Sequence, residues 1–277
     1  MKMRKVIVIV VLISLVSCAS SQKRLQQARE KDPQYQYNIG LFYLNGNNVD
    51  EAIKYLNKSL ALNPRYHLAL NALGLAQSMK GNLEEAVKLY LRCLEIVPTF
   101  SEARNNLGAV YQELGYIDKA EDAFSRVIED TGYPHKELPY YNLARLSFIR
   151  NDLDKALFYI ENAIKLNNRF HMGHNLKGLI LENQNRLPEA IDYFRQAVRI
   201  VPDDVNYNFN LGEAYFKNGE FNRAGEILEK IAPLVLEPQM KEKLDSYLKT
   251  IKNRGTSAAH IPKFPLPTLP GIFSDWA

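Results

Sequence analysis

The sequence predicts an all-α solenoid of six helix pairs, and three columns of residues carry the prediction. One small residue returns at a fixed interval, at Gly40, Gly74, Gly108, Ala144, Gly178 and Gly212, spaced 34, 34, 36, 34 and 34 apart. A second column follows twelve residues later, at Ala52, Ala86, Ala120, Ala156, Ala190 and Ala224, and so sets two helices in every unit. A third, at Asn47, Gly81, Gly115, Asn151, Asn185 and Gly219, holds residues that accept left-handed backbone and end the first helix.

With the phase taken from these columns, the units fall at 33–66, 67–100, 101–134, 137–170, 171–204 and 205–238. A glycine in mid-helix costs roughly 1 kcal/mol relative to alanine, so it implies the close approach of another backbone. The cognate alanine of the second helix is the expected neighbour. Leu56, Tyr90, Phe124, Ile160, Phe194 and Leu228 are expected to fill the seam between neighbouring units. Pro64, Pro98 and Pro202 close three of the second helices, since proline cannot continue one. Two extra residues around Tyr133 to Lys136 break the rhythm and are expected to loosen or re-angle the stack there.

A terminal unit leaves an apolar face without a neighbour. Residues 239–252 place Leu244, Leu248 and Ile251 on one side of a charged helix and read as the C-terminal cap. Residues 253–277 form a tail whose Pro262, Pro265, Pro267 and Pro270 favour extended chain. Its Phe264, Leu266, Leu269, Ile272, Phe273 and Trp276 leave two readings open: a solvated disordered end, or a segment that docks on the convex side of the repeats or on a partner.

At the other end, Lys2, Arg4 and Lys5 precede an apolar stretch from Val6 to Val16, broken once by Ser14. It is shorter than the roughly 20 residues a membrane crossing needs, and it reads as an export signal. Leu15-Val16-Ser17-Cys18 resembles a bacterial lipobox, in which cleavage after the third residue leaves the cysteine thiol to take a diacylglyceryl group. Residues 1–17 are then a removed signal peptide and 18–32 a linker lipidated at Cys18. Several acyl chains, at about 0.8 kcal/mol per buried methylene, make such an anchor effectively permanent. Ala19 and Ser20 stand where an aspartate tends to retain enterobacterial lipoproteins at the inner membrane, so the expected location is the outer membrane, facing the periplasm.

Of the formal net charge of +4, the three basic residues of the leader supply +3, which leaves +1 for the rest. With no run of Lys or Arg in the repeats, the electrostatic footprint of nucleic-acid binding is missing. Of the two cysteines, Cys93 remains after Cys18, among Tyr90, Leu94 and Val97, as a small buried thiol. His171 and His174 lack a third ligand for zinc. No phosphate loop, serine elbow or cofactor motif occurs. These features describe a binding protein, not an enzyme, with no metal, cofactor or small-molecule substrate.

The 34-residue unit, with Asn106-Leu107-Gly108 and Asn210-Leu211-Gly212 in first helices, resembles the tetratricopeptide repeat. The resemblance covers 33–238 and implies a right-handed superhelical solenoid whose first helices line a concave groove. By helical phase the groove includes Tyr37, Asn71, Asn105, Tyr141, Asn175 and Phe209, then Leu41, Leu75, Ala109, Arg145, Leu179 and Glu213, then Leu44 one turn further. Its N-terminal half, with Tyr37, Leu41, Leu44, Leu68 and Leu75, is more apolar than a solvated face. It reads as a docking patch for an apolar peptide or helix, or as a face covered by the chain's own segment 19–32 or tail. The recurrent asparagines, Asn38, Asn106, Asn142 and Asn210 with Asn71, Asn105 and Asn175, can hydrogen-bond a peptide backbone or serve neighbouring helices. The partner-binding candidates are therefore Tyr37, Leu41, Leu44, Leu68, Asn71, Leu75, Asn105, Tyr141 and Arg145.

A lipobox ahead of six such repeats resembles the pilotin lipoproteins of type IV pili, the PilF/PilW family. The run Ser101-Glu102-Ala103-Arg104-Asn105-Asn106-Leu107-Gly108, then Ala120, Ala123 and Phe124, the inserted stretch Asp130 to Pro134, and Tyr141-Asn142-Leu143-Ala144 carry the likeness. The resemblance implies a chaperone that binds secretin subunits and carries them to the outer membrane. The alternative is an adaptor of another envelope machine, serving β-barrel assembly, peptidoglycan hydrolase recruitment or polysaccharide export.

Overall fold

The computed structural model describes residue 26 and residues 28–254; the leader, Cys18 and the tail from Gly255 onward, with the expectations placed on them, lie outside the described residues. Among the described residues thirteen α-helices and one 3-10 turn occur, and no strand. They run α1 (Pro33–Asn45), α2 (Val49–Leu62), α3 (His67–Met79), α4 (Leu83–Ile96), α5 (Ser101–Glu113), α6 (Ile117–Glu129) and α7 (Glu137–Ile149). There follow α8 (Leu153–Leu166), α9 (His171–Asn183), α10 (Leu187–Ile200), α11 (Val205–Lys217), α12 (Phe221–Ile231), the 3-10 turn (Ala232–Leu234) and α13 (Pro238–Arg254). The chain divides into two compact units inside α6, at Ala123 and Phe124, ahead of the two-residue insertion.

Within each unit the helices pack in consecutive pairs, α1 on α2 and α3 on α4 in one, α7 on α8, α9 on α10 and α11 on α12 in the other. Second helices pack on the next first helix, as α2 does on α3 and α10 on α11. First helices also touch one another, α1 with α3, α3 with α5, and α7 with α9.

The turn inside every pair is built on one device. Asn47, Asn151 and Asn185 have φ of 55, 59 and 61°, and Gly81, Gly115 and Gly219 have φ of 80, 77 and 82°, as the third column requires. The left-handed residue lets the following N–H reach back to the last turn. Asn48 donates to the Tyr43 carbonyl at 2.8 Å, and Asn82, Tyr116, Asp152, Arg186 and Glu220 make the equivalent bond at 2.8 to 2.9 Å. These are Schellman closures, which satisfy the orphan carbonyls of the first helix. Asp32, Asn48, Asp152 and Asp204 cap α1, α2, α8 and α11 by accepting an N–H of the first turn.

The mid-helix glycines make room for a neighbour other than the expected alanine. A Cβ on Gly40 would lie 2.7 Å from Leu56 Cγ, on Gly74 2.7 Å from Tyr90 Cε1, on Gly178 2.5 Å from Phe194 Cε1, and on Gly212 2.7 Å from Leu228 Cδ2. Each of these large residues stands four positions after the conserved-phase alanine of its own pair, is fully buried, and fills the interior of that pair. The reason is side-chain direction: on a helix a side chain leans toward the N-terminus and covers the turn before its own Cα. The alanines, all fully buried, keep that turn thin. One column further along, Ser59 Oγ donates to the Pro33 carbonyl at 2.7 Å and Cys93 Sγ to the His67 carbonyl at 3.2 Å, tying second helix to first. Burial, with Glu102 adding to it, pushes the Cys93 thiol up to about 12, so it is a packing group.

Neighbouring pairs are latched through asparagine. Asn106 Nδ2 on α5 donates to Asn71 Oδ1 on α3 at 3.2 Å, and Asn71 Nδ2 donates to Glu102 Oε1 at 3.1 Å. Asn210 on α11 donates to Asn175 Oδ1 on α9 at 2.9 Å in the same manner.

Helix α13 lies on α11 and α12 and buries Leu244 and Tyr247. The Tyr247 ring sits 4.5 Å from that of Phe216, and its hydroxyl donates to Glu213 Oε1 at 2.8 Å. Lys217 reaches both Glu213, at 2.8 Å, and Glu182, at 2.7 Å. Burial alone would raise the Glu213 carboxyl, but the Lys217 ammonium and the hydrogen bonds from Lys217 and Tyr247 hold it below its ordinary value.

Two outcomes follow from this packing. Gly178→Ala improves local helix propensity yet overpacks against Phe194, and should lower the stability measured by urea unfolding by about 1–3 kcal/mol, a loss that a second change, Phe194→Leu, relieves. A carboxyl with a lowered pKa stabilises the fold above its unfolded value of about 4.3 and ceases to do so as pH falls through the lowered value. The melting temperature should thus drop on acidification below about pH 4.3 less steeply in Glu213→Gln than in the parent.

Candidate partner-binding surface

In the N-terminal unit, the first helices α1, α3 and α5 carry the apolar candidates. The Tyr37 ring meets the Tyr66 ring edge-on at 5.3 Å, and both are half-buried. Tyr66 continues to His67 at 6.4 Å, and His67 to Phe100 at 5.3 Å, so an unbroken aromatic row crosses the starts of α3 and α5. Burial raises the Tyr37 phenol, with Tyr66 and Glu102 adding to the effect, and burial followed by Asp32 raises that of Tyr66. Both hydroxyls are neutral donors throughout the physiological range. Leu41 and Leu68 are half-buried beside this row, and Leu75 is 38% exposed. Leu75 is therefore the apolar side chain of the set most available to a partner.

Two of the candidates belong to the interior. Leu44, at 8% exposure, packs in the core of the first pair because the Schellman turn folds α2 over the end of α1. Asn71, at 6%, spends its amide on Glu102 and Asn106, so it latches α3 to α5 and offers a peptide nothing. Asn105 differs: it is half-buried, and its Oδ1 is shielded from solvent without a hydrogen-bond donor. An acceptor in that state gains from a donor brought by a partner.

The C-terminal unit repeats the aromatic motif with a charge added. Tyr141 on α7 meets Phe170 edge-on at 5.4 Å, and the Arg145 guanidinium lies 5.7 Å from the centre of the Tyr141 ring. Burial lowers the affinity of Arg145 for its proton, opposed by Tyr141, and burial raises the Tyr141 phenol. A half-buried guanidinium stacked on a ring is a donor suited to a carboxylate or carbonyl. The two histidines hold structure together: His171 Nδ1 lies 2.8 Å from Tyr207 Oη, linking α9 to α11, and His174 Nε2 lies 2.8 Å from the Asn168 carbonyl. No cluster of metal-ligating side chains occurs among the described residues.

Tyr66 and Phe100 are the part of this surface absent from the sequence-derived candidates; Phe170, at the same place in its own unit, is 5% exposed and packs in the core. All three precede α3, α5 and α9 as the last residue of a unit. Their spacing of 34 and then 70, two periods plus the insertion, was the available signal.

The chain matches tetratricopeptide repeat families over residues 33–66, 55–88 and 139–170, and a TPR repeat family over 79–115 and 178–219. Among curated proteins it is similar to the peroxisomal targeting signal receptor of Saccharomyces cerevisiae, at 32% identity over 86 residues, 31% of this chain and 14% of the receptor. It is also similar to surface lipoprotein assembly modifier 1 of Neisseria meningitidis serogroup B, at 26% over 78 residues, 28% of this chain and 16% of the modifier. These are likenesses of repeats, not of whole proteins. The fold is shared with PilF of Pseudomonas aeruginosa, TM-score 0.71 at 18% identity, over 79% of this chain and 99% of that one. It is shared with PilW, described as a widely conserved type IV pilus biogenesis factor, TM-score 0.68 at 16% identity, over 79% and 98%. The matched segments together take in more than half of the chain and coincide with its helix pairs: it belongs to the tetratricopeptide repeat proteins, whose fold is a scaffold for binding other proteins.

Proposed function

We propose that this chain is a lipid-anchored, non-enzymatic pilotin, which binds a secretin subunit through its repeats and carries it to the outer membrane for assembly in type IV pilus biogenesis. One observation supports the reading: Leu15-Val16-Ser17-Cys18, which resembles a lipobox, stands ahead of a solenoid whose fold spans 98 to 99% of PilW and PilF. The partner surface is the aromatic and leucine row of the N-terminal unit, Tyr37, Tyr66, Leu41, Leu68 and Leu75, with Asn105 as an acceptor.

The mechanism requires no covalent chemistry. The lipid supplies the address, the row supplies recognition, and confinement of both partners to one membrane raises their effective concentration. A half-buried aromatic row suits an apolar helix or extended segment, because its rings are already ordered and lose little freedom on binding.

An immunoblot of envelopes tests this. Cells lacking the protein should lose heat- and detergent-resistant secretin multimers while keeping the monomer, and Leu75→Glu should reproduce that loss with an unchanged melting curve. An unchanged multimer in the deletion overturns the pilotin reading and shifts the role to another envelope complex.

A further inference from the structure

The two ends of the repeat array are finished differently. At the C-terminal end α13 covers the last pair. At the N-terminal end α1 packs on α2 and α3, and Phe42 on α1 is 73% exposed, the most open aromatic ring among the described residues. Phe42 meets Tyr43 edge-on at 5.6 Å, and Tyr43 stacks on Tyr55 of α2 at 5.4 Å and 14°. Tyr35 lies two turns before Phe42 on the same face of α1. Cations border these rings: Lys58 and Lys54 lie 4.7 and 5.6 Å from the Tyr55 ring centre, and Arg29 lies 5.9 Å from that of Tyr35. Lys54 is paired with Glu51, so Lys58 and Arg29 are the cations this face offers; Asp50 pairs with Lys80, Asp32 caps α1 and Glu30 accepts from Gln26.

We infer that this aromatic and basic face of the first helix pair seats on the surface of a phospholipid bilayer containing anionic headgroups. Tyrosine and phenylalanine rings partition to the headgroup level, where an apolar body and a wet edge are both satisfied, and lysines beside them neutralise anionic lipid. The placement favours a membrane over a protein partner. Ten residue steps run from Cys18 to Ala28, so even a fully extended chain holds the approach to the first helix pair within about 35 Å of an anchor there. The inference rests on the lipoprotein reading of Cys18. With an acylated anchor the face adds orientation rather than retention: it fixes which side of the first pair faces the bilayer.

The test uses the full chain purified from envelopes and reconstituted into phosphatidylethanolamine–phosphatidylglycerol vesicles, with lipids brominated near the headgroup, in a Trp276→Phe background. The indole introduced by Phe42→Trp should lose about half of its emission or more to the brominated lipid, as a group at headgroup depth does. An indole introduced by Phe158→Trp, at an exposed site in the fourth unit, should lose none. Lys54→Glu with Lys58→Glu should restore the Phe42→Trp emission while the protein still floats with the vesicles. Flotation with no quenching of the Phe42→Trp indole overturns the inference and leaves the anchor standing; if Phe42→Glu then abolishes secretin capture, the face belongs to a protein partner. Failure to float removes the anchor and the inference with it.

Discussion

Every other feature of this chain depends on a single steric fit, the seating of one large buried side chain of the second helix in the space left by a glycine of the first, or by Ala144 in the fourth pair. With Leu56, Tyr90, Phe194 and Leu228 within what would be 2.5 to 2.7 Å of a glycine Cβ, the two helices come closer than any side chain would allow. That contact sets the angle of the pair, and the Schellman turn delivers the second helix to it. Repetition does the rest, because each second helix then presents a fresh apolar stripe to the next first helix. A solenoid held this way gathers no convergent catalytic groups. It presents a row of equivalent positions, and function comes from what occupies that row.

What occupies it here divides between holding the array together and meeting a partner. The asparagines look from the sequence like a ladder for a peptide backbone, but Asn71, Asn106, Asn175 and Asn210 bond to one another across neighbouring pairs. Their amides fix the register of first helices, which a purely apolar contact would leave free to slide. The residues the latches do not use are the Tyr37–Tyr66–His67–Phe100 row, Leu75 and the acceptor of Asn105, and these carry the proposed binding surface. In the C-terminal unit the Glu182–Lys217–Glu213–Tyr247 network fastens the capping helix.

The fold was legible because its key positions admit few residues. Positive φ restricts the turn column to glycine and asparagine, and the absence of a Cβ restricts the mid-helix column to the smallest residues; both survive as spacings in an unaligned sequence. The partner of the mid-helix glycine was not legible, since the answer depends on the lean of side chains along a helix rather than on spacing. The placement of the candidate residues was legible in part. Helical phase located Tyr37, Leu41, Leu68, Leu75, Tyr141 and Arg145 on first helices, but phase alone does not tell an accessible residue from one covered by the next turn, and so it also admitted Leu44 and Asn71. Tyr66 and Phe100 sit at unit boundaries, outside the first-helix positions that helical phase picks out.

If the first-helix row is the binding surface, contact with the partner must be confined to it. The direct measurement is photo-crosslinking in living cells with benzoylphenylalanine at Leu75 on α3 and, in a separate variant, at Leu91 on α4, two leucines of similar exposure, 38 and 42%, on the two helices of one pair. The account predicts one dominant envelope-protein adduct from position 75 and none from position 91. An adduct from position 91 with none from 75 would contradict it and move recognition to the second helices.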